Sequence, residues 1–144
     1  MEKIEEKIEN QIEKIKDEIV DITNKIETFR NDGDVDNVGV GQELLDRLEI
    51  LNEKLNALKK NLLLYQNARE SKDINVGHTI HLERNNGTNN TITIVLPEDA
   101  NSLEGYISAE SPLGKALIGK RAGEEIVFDT PAGAQTIIIN KLFY

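Results

Sequence analysis

Three aspartates at alternate positions, Asp32, Asp34 and Asp36, are the residues of this chain best suited to chemistry. They fall within residues 31–41, which hold three acids, three glycines and no base. Carboxylate oxygens are the ligands that Mg²⁺ and Ca²⁺ prefer in proteins. A purely structural interpretation is also open, because Asp-Gly and Asn tolerate turn geometry, and Asp36 or Asn37 can cap a following helix. The stretch therefore predicts a turn with concentrated negative charge.

The spacing of the same acids resembles that of the calcium-binding loop of an EF-hand. If Asp32 is position 1, acids occupy positions 1, 3 and 5, and Glu43 occupies position 12. The imitation fails at two points: Asn37 replaces the usual glycine, and Gly39 replaces the usual apolar residue. A calcium-binding or scaffold coiled-coil protein is kept as an alternative.

The segments on both sides of this stretch carry apolar residues at alternating spacings of four and three. These residues are Ile or Phe at positions 4, 8, 12, 15, 19, 22, 26 and 29, then Leu at 44, 48, 51, 55, 58 and 62, and Tyr65. The spacing predicts two helices, each about 40 Å long, with a narrow apolar seam. We expect an intramolecular antiparallel hairpin over residues 1–70 with its acidic tip at 31–41, and hence a monomer. The alternative is a coiled coil between copies of the chain.

After a polar linker at 70–75 the pattern changes to short β-branched runs. Strands are predicted at 78–82, 91–96, 104–107, 126–129 and 135–143, and a short helix at 112–119, opened by proline and closed by glycine. Residues 76–144 are therefore expected to form a small antiparallel β domain with one short helix, which makes the chain α+β. His78 and His81 are expected at the surface.

Composition excludes several classes of function. The chain has no cysteine, which excludes a disulfide framework, thiolate catalysis and Cys-based zinc sites. Its net charge is −9, made up of −6 over residues 1–70 and −3 over 71–144. Such a surface disfavours autonomous nucleic-acid binding. No apolar run is long enough to span a bilayer, and the N-terminus lacks the apolar core of a signal peptide. A soluble cytoplasmic protein without membrane contact is expected.

One run of the second half has a specific pattern. Residues 107–124 fit I-S-x-x-S-P-L-x-x-A-L-I-G-K-x-x-G-E. This run resembles the C-terminal domain of the bacterial Gre transcript-cleavage factors of the GreA/GreB type, in which a coiled coil precedes that domain, as it does here. The resemblance implies an N-terminal coiled-coil hairpin joined to an FKBP-like domain.

The resemblance also implies a transcription elongation factor that is not itself an enzyme. Such a factor binds core RNA polymerase at its secondary channel, contacts the RNA 3′ end only indirectly, and stimulates cleavage of backtracked RNA. Carried over to this sequence, Glu110, Ser111 and Pro112 form the polymerase-docking loop. Asp34 and Asp36 are the functional acids, and they help to hold a Mg²⁺ ion shared with the polymerase active site.

The tip departs from the family pattern G-D-L-S-E-N-A-E-Y. Gly33-Asp34-Val35 aligns with G-D-L, so Asp34 matches the first acid. Asn37 falls on the second acid, Asp36 lies one residue early, and Gly41 stands where the tyrosine would be. Asn37 is then a weaker metal ligand, because an amide oxygen lacks charge. A Gre-like inhibitor without cleavage activity is therefore the alternative within this family.

Overall fold

In the computed structural model, the residues described are 3–31, 38–85 and 87–143. Contacts divide the chain into two compact units, Met1–Leu63 and Leu64–Tyr144. Helix α1 spans Ile4–Asn31, and helix α2 spans Val38–Ala68. The unit boundary precedes the predicted position 70, because the last turn of α2 belongs to the second unit. No helix in the described part of the chain is both long and apolar enough to cross a membrane.

The two long helices run antiparallel in the first unit. Arg47 on α2 pairs with Glu18 on α1 at 3.4 Å between Nη2 and Oε2. Closer to the end of α1, Gly41 lies so near Phe29 that an added Cβ would be 2.9 Å from its ring. A residue later in α1 therefore faces a residue earlier in α2, as two antiparallel helices require. This confirms the predicted helical hairpin.

The predicted apolar seam is confirmed as well. All fifteen seam residues, eight on α1 and seven on α2, are buried or half-buried. Most are only half-buried, since two helices side by side can cover each other along one stripe alone. Among the described residues of this unit, the buried hydrophobic ones are the isoleucines at 4, 8 and 12 and Leu51.

Helix α2 begins earlier than the sequence indicates. The pattern of leucines predicts a start near Gln42, but residues 38–41 are already helical. Gly41 occupies a seam position three residues before Leu44, and the Phe29 ring fills the space of the missing side chain. Packing of a large residue against glycine thus offsets the low helix propensity of glycine.

The second unit contains five strands and one short helix. Their bounds are β1 Thr79–Arg84, β2 Asn89–Val95, β3 Tyr106–Ser108, α3 Pro112–Leu117, β4 Glu125–Thr130 and β5 Gly133–Phe143. Two 3-10 turns, Pro97–Asp99 and Ser102–Glu104, separate β2 from β3. The α+β class is confirmed.

The strands form one sheet in the order β3-β2-β1-β5-β4. Three pairings are antiparallel: β1 with β2, β1 with β5, and β4 with β5. Strand β3 pairs parallel with β2, placing Thr93 opposite Tyr106. The expected antiparallel sheet therefore has one parallel edge, because the ten-residue connection 96–105 carries the chain back to the end of the sheet where β2 began.

The inner face of the sheet and α3 enclose the core of this unit. Its buried members are Ile74, Ile80, Leu82, Ile92, Ile94, Leu117, Ile126, Ile137 and Ile139. Alternate residues of the strands supply most of them, as expected for a sheet with one covered face. The core fixes where the loop between β3 and α3 leaves the sheet.

Candidate functional site

The metal-binding residues predicted at the tip, Asp34, Asp36 and Asn37, lie outside the described residues. Their nearest described neighbours are Asn31, where α1 ends, and Val38, where α2 begins. Among the residues that the structure describes, no cluster of three or more His, Asp or Glu side chains could hold a metal ion. The acids of 32–37 therefore stay the candidate metal ligands of this chain.

The structure contradicts the calcium-loop alternative. Positions 7–12 of such a loop would be residues 38–43, and position 7 must offer its backbone carbonyl to the ion. In this chain residues 38–43 are the first turns of α2, so helical hydrogen bonds engage that carbonyl. The two helices also pair side by side as a closed hairpin.

The predicted docking loop, Glu110-Ser111-Pro112, connects β3 to α3. Ser111 is the N-cap of α3: its Oγ accepts a hydrogen bond from the Gly114 backbone N–H at 3.0 Å and donates one to the Ser108 carbonyl at 2.6 Å. The Glu110 backbone N–H in turn donates to Ser108 Oγ at 3.1 Å. The serines therefore hold the loop in one shape.

The loop exposes its other two side chains. Glu110 and Pro112 are exposed, whereas Ser111 is half-buried. Pro112 begins the helix, where its fixed φ fits and its missing N–H is not needed. A binding partner would thus meet the Glu110 carboxylate and the Pro112 ring, while Ser111 positions them.

Close backbone packing supports this loop from below. Gly114 lies against the end of β3, where an added Cβ would overlap the Ser108 carbonyl oxygen and lie 3.0 Å from Ala109 Cα. Only glycine fits there without movement of the backbone. The glycine within P-L-G is thus part of the loop's support, which the sequence pattern alone did not reveal.

His78, which was predicted at the surface, is buried instead, with 1% of its surface exposed. Its Nε2 lies 2.9 Å from the Ala68 carbonyl, and its Nδ1 accepts a hydrogen bond from the Asn75 backbone N–H at 3.3 Å. The carbonyls of a last helical turn have no partner within the helix. His78 supplies one at the end of α2, which is why the surface prediction was wrong.

Tyr65 has a second role that its place in the seam concealed. It is fully buried, its hydroxyl donates to Asp99 Oδ2 at 2.7 Å, and it accepts from the Leu96 backbone N–H at 2.7 Å. Burial, and then the hydrogen bond to Asp99, raise the pKa of Tyr65 well above its usual range. Tyr65 thereby ties the last turn of α2 to the connection after β2.

Comparison with known proteins identifies relatives that match most of the chain. The family described as "Transcription elongation factor, GreA/GreB, C-term" matches residues 69–144. The transcription elongation factor GreA of Maridesulfovibrio salexigens is 30% identical over 132 residues, covering 88% of this chain and 82% of the relative. GreA of Bacillus anthracis is 28% identical over 140 residues, covering 93% and 89%.

Solved structures of the same group also align. Gfh1 of Thermus aquaticus is 22% identical with a TM-score of 0.48, covering 96% of this chain and 93% of that one. A GreA/GreB factor from Nitrosomonas europaea is 23% identical with a TM-score of 0.45, covering 69% and 93%. On the family match over 69–144 and the GreA relatives along most of its length, the chain belongs to the GreA/GreB family of transcription elongation factors.

Proposed function

We propose that this chain binds core RNA polymerase as a monomer, enters its secondary channel with the helical hairpin, and stimulates cleavage of backtracked RNA. The observation that carries the proposal is the family match over residues 69–144, joined to a helical hairpin whose two helix ends flank three aspartates. The chain modulates the hydrolytic activity of the polymerase, and contacts the RNA 3′ end only through that active site.

Asp34 and Asp36 would supply carboxylate ligands to a Mg²⁺ ion shared with the polymerase, with the amide oxygen of Asn37 beside them. Their chemistry suits the ion, because Mg²⁺ takes one or two carboxylates and keeps several waters. Bound there, the ion would help to activate water and stabilise the departing oxygen. Free in solution, the chain would bind Mg²⁺ weakly, since two carboxylates and an amide make an incomplete set of ligands.

Docking is assigned to Glu110 and Pro112, the exposed residues of the loop before α3. Ser111 and Gly114 support them, as their hydrogen bonds and close packing indicate. A preformed loop loses little conformational freedom on binding, which favours affinity. We therefore expect the loop, and not the tip, to dominate polymerase binding.

The first experiment measures binding to core RNA polymerase at low salt by co-purification. The wild-type chain should bind, and Glu110→Ala combined with Pro112→Ala should weaken binding about five- to tenfold. Asp34→Asn serves as the control and should bind normally. Absence of wild-type binding would rule out both cleavage stimulation and inhibition of the polymerase.

The second experiment adds the chain to a stalled, backtracked polymerase complex and follows RNA length. The wild-type chain should shorten the RNA from its 3′ end, and Asp34→Asn should lose most of this effect while binding persists. Asp36→Asn tests whether that neighbour replaces the family's second acid. If Asp34→Asn cleaves as well as the wild type, the assignment of the metal ligand is wrong.

A second candidate function is inhibition of RNA polymerase without cleavage. The observations that favour it are Asn37 at the position of the second acid and Gly41, packed by Phe29, at the position of the family's tyrosine. The same assay separates the two functions, because an inhibitor suppresses synthesis without shortening RNA. In that case Asn37→Glu should introduce measurable cleavage.

A further inference from the structure

A close contact joins the two helices at the end of the hairpin that flanks the acids. The ring of Phe29 lies where a side chain at position 41 would be. An added Cβ on Gly41 would stand 2.9 Å from Cε1 of that ring and 3.5 Å from its Cδ1 and Cζ. Helix α1 ends at Asn31 and α2 begins at Val38. The contact therefore lies within about one turn of both helix ends.

Other interactions between the helices lie further from this end. Among the described residues of 28–31 and 38–43, no hydrogen bond or ion pair joins α1 to α2, and Gln42 donates within its own helix, to Asp46. The ion pair of Arg47 with Glu18 comes later along α2. A Cβ added at Gly39 would have no atom within 4 Å. Packing of the Phe29 ring is therefore the contact that holds the described part of this first turn.

The first turn of α2 needs such support. It contains Gly39 and Gly41, and glycine favours a helix less than any residue except proline. The first N–H groups of a helix also have no partner within it. A turn with these features is stable only when tertiary packing holds it, because short helical segments are marginal in water. The Phe29 ring supplies that packing, so it fixes where α2 begins relative to the end of α1.

The positions of the two helix ends bear on the acids between them. Residues 32–37 connect the ends and include Asp34 and Asp36. A short connection between fixed ends has fewer conformations open to it than one whose flanking turns fray. Catalysis is sensitive to such freedom, because a misplacement of about 1 Å can lower a rate about a hundredfold.

We propose that Phe29 is a positioning residue for RNA cleavage: by packing on Gly41, it fixes the two helix ends that present Asp34 and Asp36. The inference rests on the proposed function and deepens it, since it assigns a role to a residue outside the set of metal ligands. The family pattern has tyrosine at the position of Gly41. In this chain the aromatic ring at that place comes from α1, and glycine leaves room for it.

The kinetic test titrates the full chain into a stalled, backtracked polymerase complex and measures the maximal cleavage rate and the half-saturating concentration. Phe29→Ala should lower the maximal rate about five- to tenfold, because the carboxylates are less often in place. Its half-saturating concentration should change less than about twofold, because docking is assigned to the loop at 110–112. Ile15→Ala is the matched control and should keep both values, since Ile15 is a half-buried seam residue about 21 Å from Phe29 along α1.

A reciprocal exchange separates positioning from a general loss of stability. Gly41→Tyr alone should lower the maximal rate, because its side chain would meet the Phe29 ring. Phe29→Ala combined with Gly41→Tyr moves the ring to α2 and should restore the rate to within about twofold of the wild type. Urea denaturation records the stability of each variant. A double variant that regains stability but not the rate would overturn the proposal.

A spectroscopic measurement tests the contact in the free chain, without RNA polymerase. Because the chain has no cysteine, spin labels can be attached at Arg30→Cys and Gln42→Cys, two exposed positions next to Phe29 and Gly41. The distribution of distances between the labels should broaden in Phe29→Ala, narrow again in the double variant and stay unchanged in Ile15→Ala. An unchanged distribution in Phe29→Ala would also overturn the proposal.

These measurements distinguish failure of this inference from failure of the proposed function. If the wild-type chain binds the polymerase but shortens no RNA, the proposed function fails, and the label distances then decide whether Phe29 fixes the helix ends. If the wild-type chain cleaves and Phe29→Ala reaches the same maximal rate, only the positioning role of Phe29 fails.

Discussion

The two units of this chain differ in how completely they bury their apolar residues. Among the described residues of Met1–Leu63, only four hydrophobic side chains are buried, although all of α1 and most of α2 lie in this unit. The second unit encloses nine residues in a single cluster, five of them with no exposed surface. Two helices shield each other from one side only, whereas a sheet covered by a helix closes around its core.

The unit that is easier to predict from the sequence is therefore not the unit that should contribute more to stability. The hairpin is the easier part to recognise in the sequence, because its spacing of three and four repeats over many turns. Most of its seam residues are only half-buried, so the regular spacing predicts geometry better than buried area. Val20, Ile50 and Leu63, which lie outside the seam, are exposed. The β unit has weaker sequence signals but should hold most of the stabilising contacts. Substitutions in both units can test this contrast.

The largest expected effect is the contrast between matched isoleucines. Ile139→Ala, at a site with no exposed surface, should lower the free energy of unfolding by about 2–5 kcal/mol. Ile19→Ala, at a half-buried hairpin site, should cost about 1 kcal/mol, because less area is lost and alanine has the higher helix propensity. Urea denaturation followed by circular dichroism measures both, and equal losses would contradict the contrast.

The next effect comes from close packing under the proposed docking loop, residues 110–112. Gly114→Ala should destabilise the chain by about 1–3 kcal/mol, because the new Cβ would overlap the Ser108 carbonyl and force the backbone apart. It should also weaken polymerase binding by displacing Glu110. Lys115→Ala, an exposed change on the same helix, is the control for both measurements. Normal stability of Gly114→Ala would mean that the loop yields easily.

A smaller loss is expected from Tyr65→Phe, which removes the hydroxyl shared by Asp99 and the Leu96 N–H. Because Asp99 and the Leu96 N–H then lose their hydrogen-bond partner, the free energy of unfolding should fall by about 1–2 kcal/mol near neutral pH. Leu58→Met, a volume-conserving change elsewhere in the α2 seam, should cost less and serves as the control. Urea denaturation measures the difference.

The raised pKa of Tyr65 adds a dependence on pH. In the unfolded chain tyrosine ionises near pH 10, whereas the folded state resists ionisation. The contribution of Tyr65 to the free energy of unfolding is therefore fully present below about pH 10. Above that pH it is lost, by up to about 1.4 kcal/mol per pH unit. Relative to Tyr65→Phe, the wild type should lose stability more steeply in alkali. Parallel curves would refute the assignment.

The smallest effect compares two glycines at the start of α2. Gly39 has open space around its Cα, so Gly39→Ala should stabilise the helix by at most about 1 kcal/mol. Gly41→Ala should lose that gain, because its Cβ would press on the Phe29 ring at 2.9 Å. Thermal denaturation gives the difference between them. If both alanines stabilise equally, Phe29 moves without cost.

Much of the fold could be predicted because its signals are local. The seam residues, the proline that begins α3 and the β-branched runs each reflect the conformation of a few neighbouring residues. Their boundaries and partners were less accessible: the start of α2 depends on Phe29, and the parallel pairing of β3 depends on the path of the connection before it. Within the candidate site, the loop at 110–112 was predicted, but its support by Gly114 was not.

The errors in the site have a common physical origin. His78 was expected at the surface, yet its two ring nitrogens contact backbone groups three and ten residues earlier in the chain. Tyr65 looked like one more seam residue, while its hydroxyl acts on the connection after β2. In both cases the deciding atom belongs to a contact partner that no spacing in the sequence identifies.

The amino-acid sequence by itself determined the two amphipathic helices, the position of the acids between them and the strand-forming segments, because periodicity and turn chemistry act over a few residues. Only the tertiary structure decided which side chains are engaged in contacts within the fold and which remain exposed to a partner. Ser111 is held as a cap while Glu110 faces solvent. Burial and hydrogen bonding depend on residues distant in the chain, which is why these distinctions appear only once it is folded.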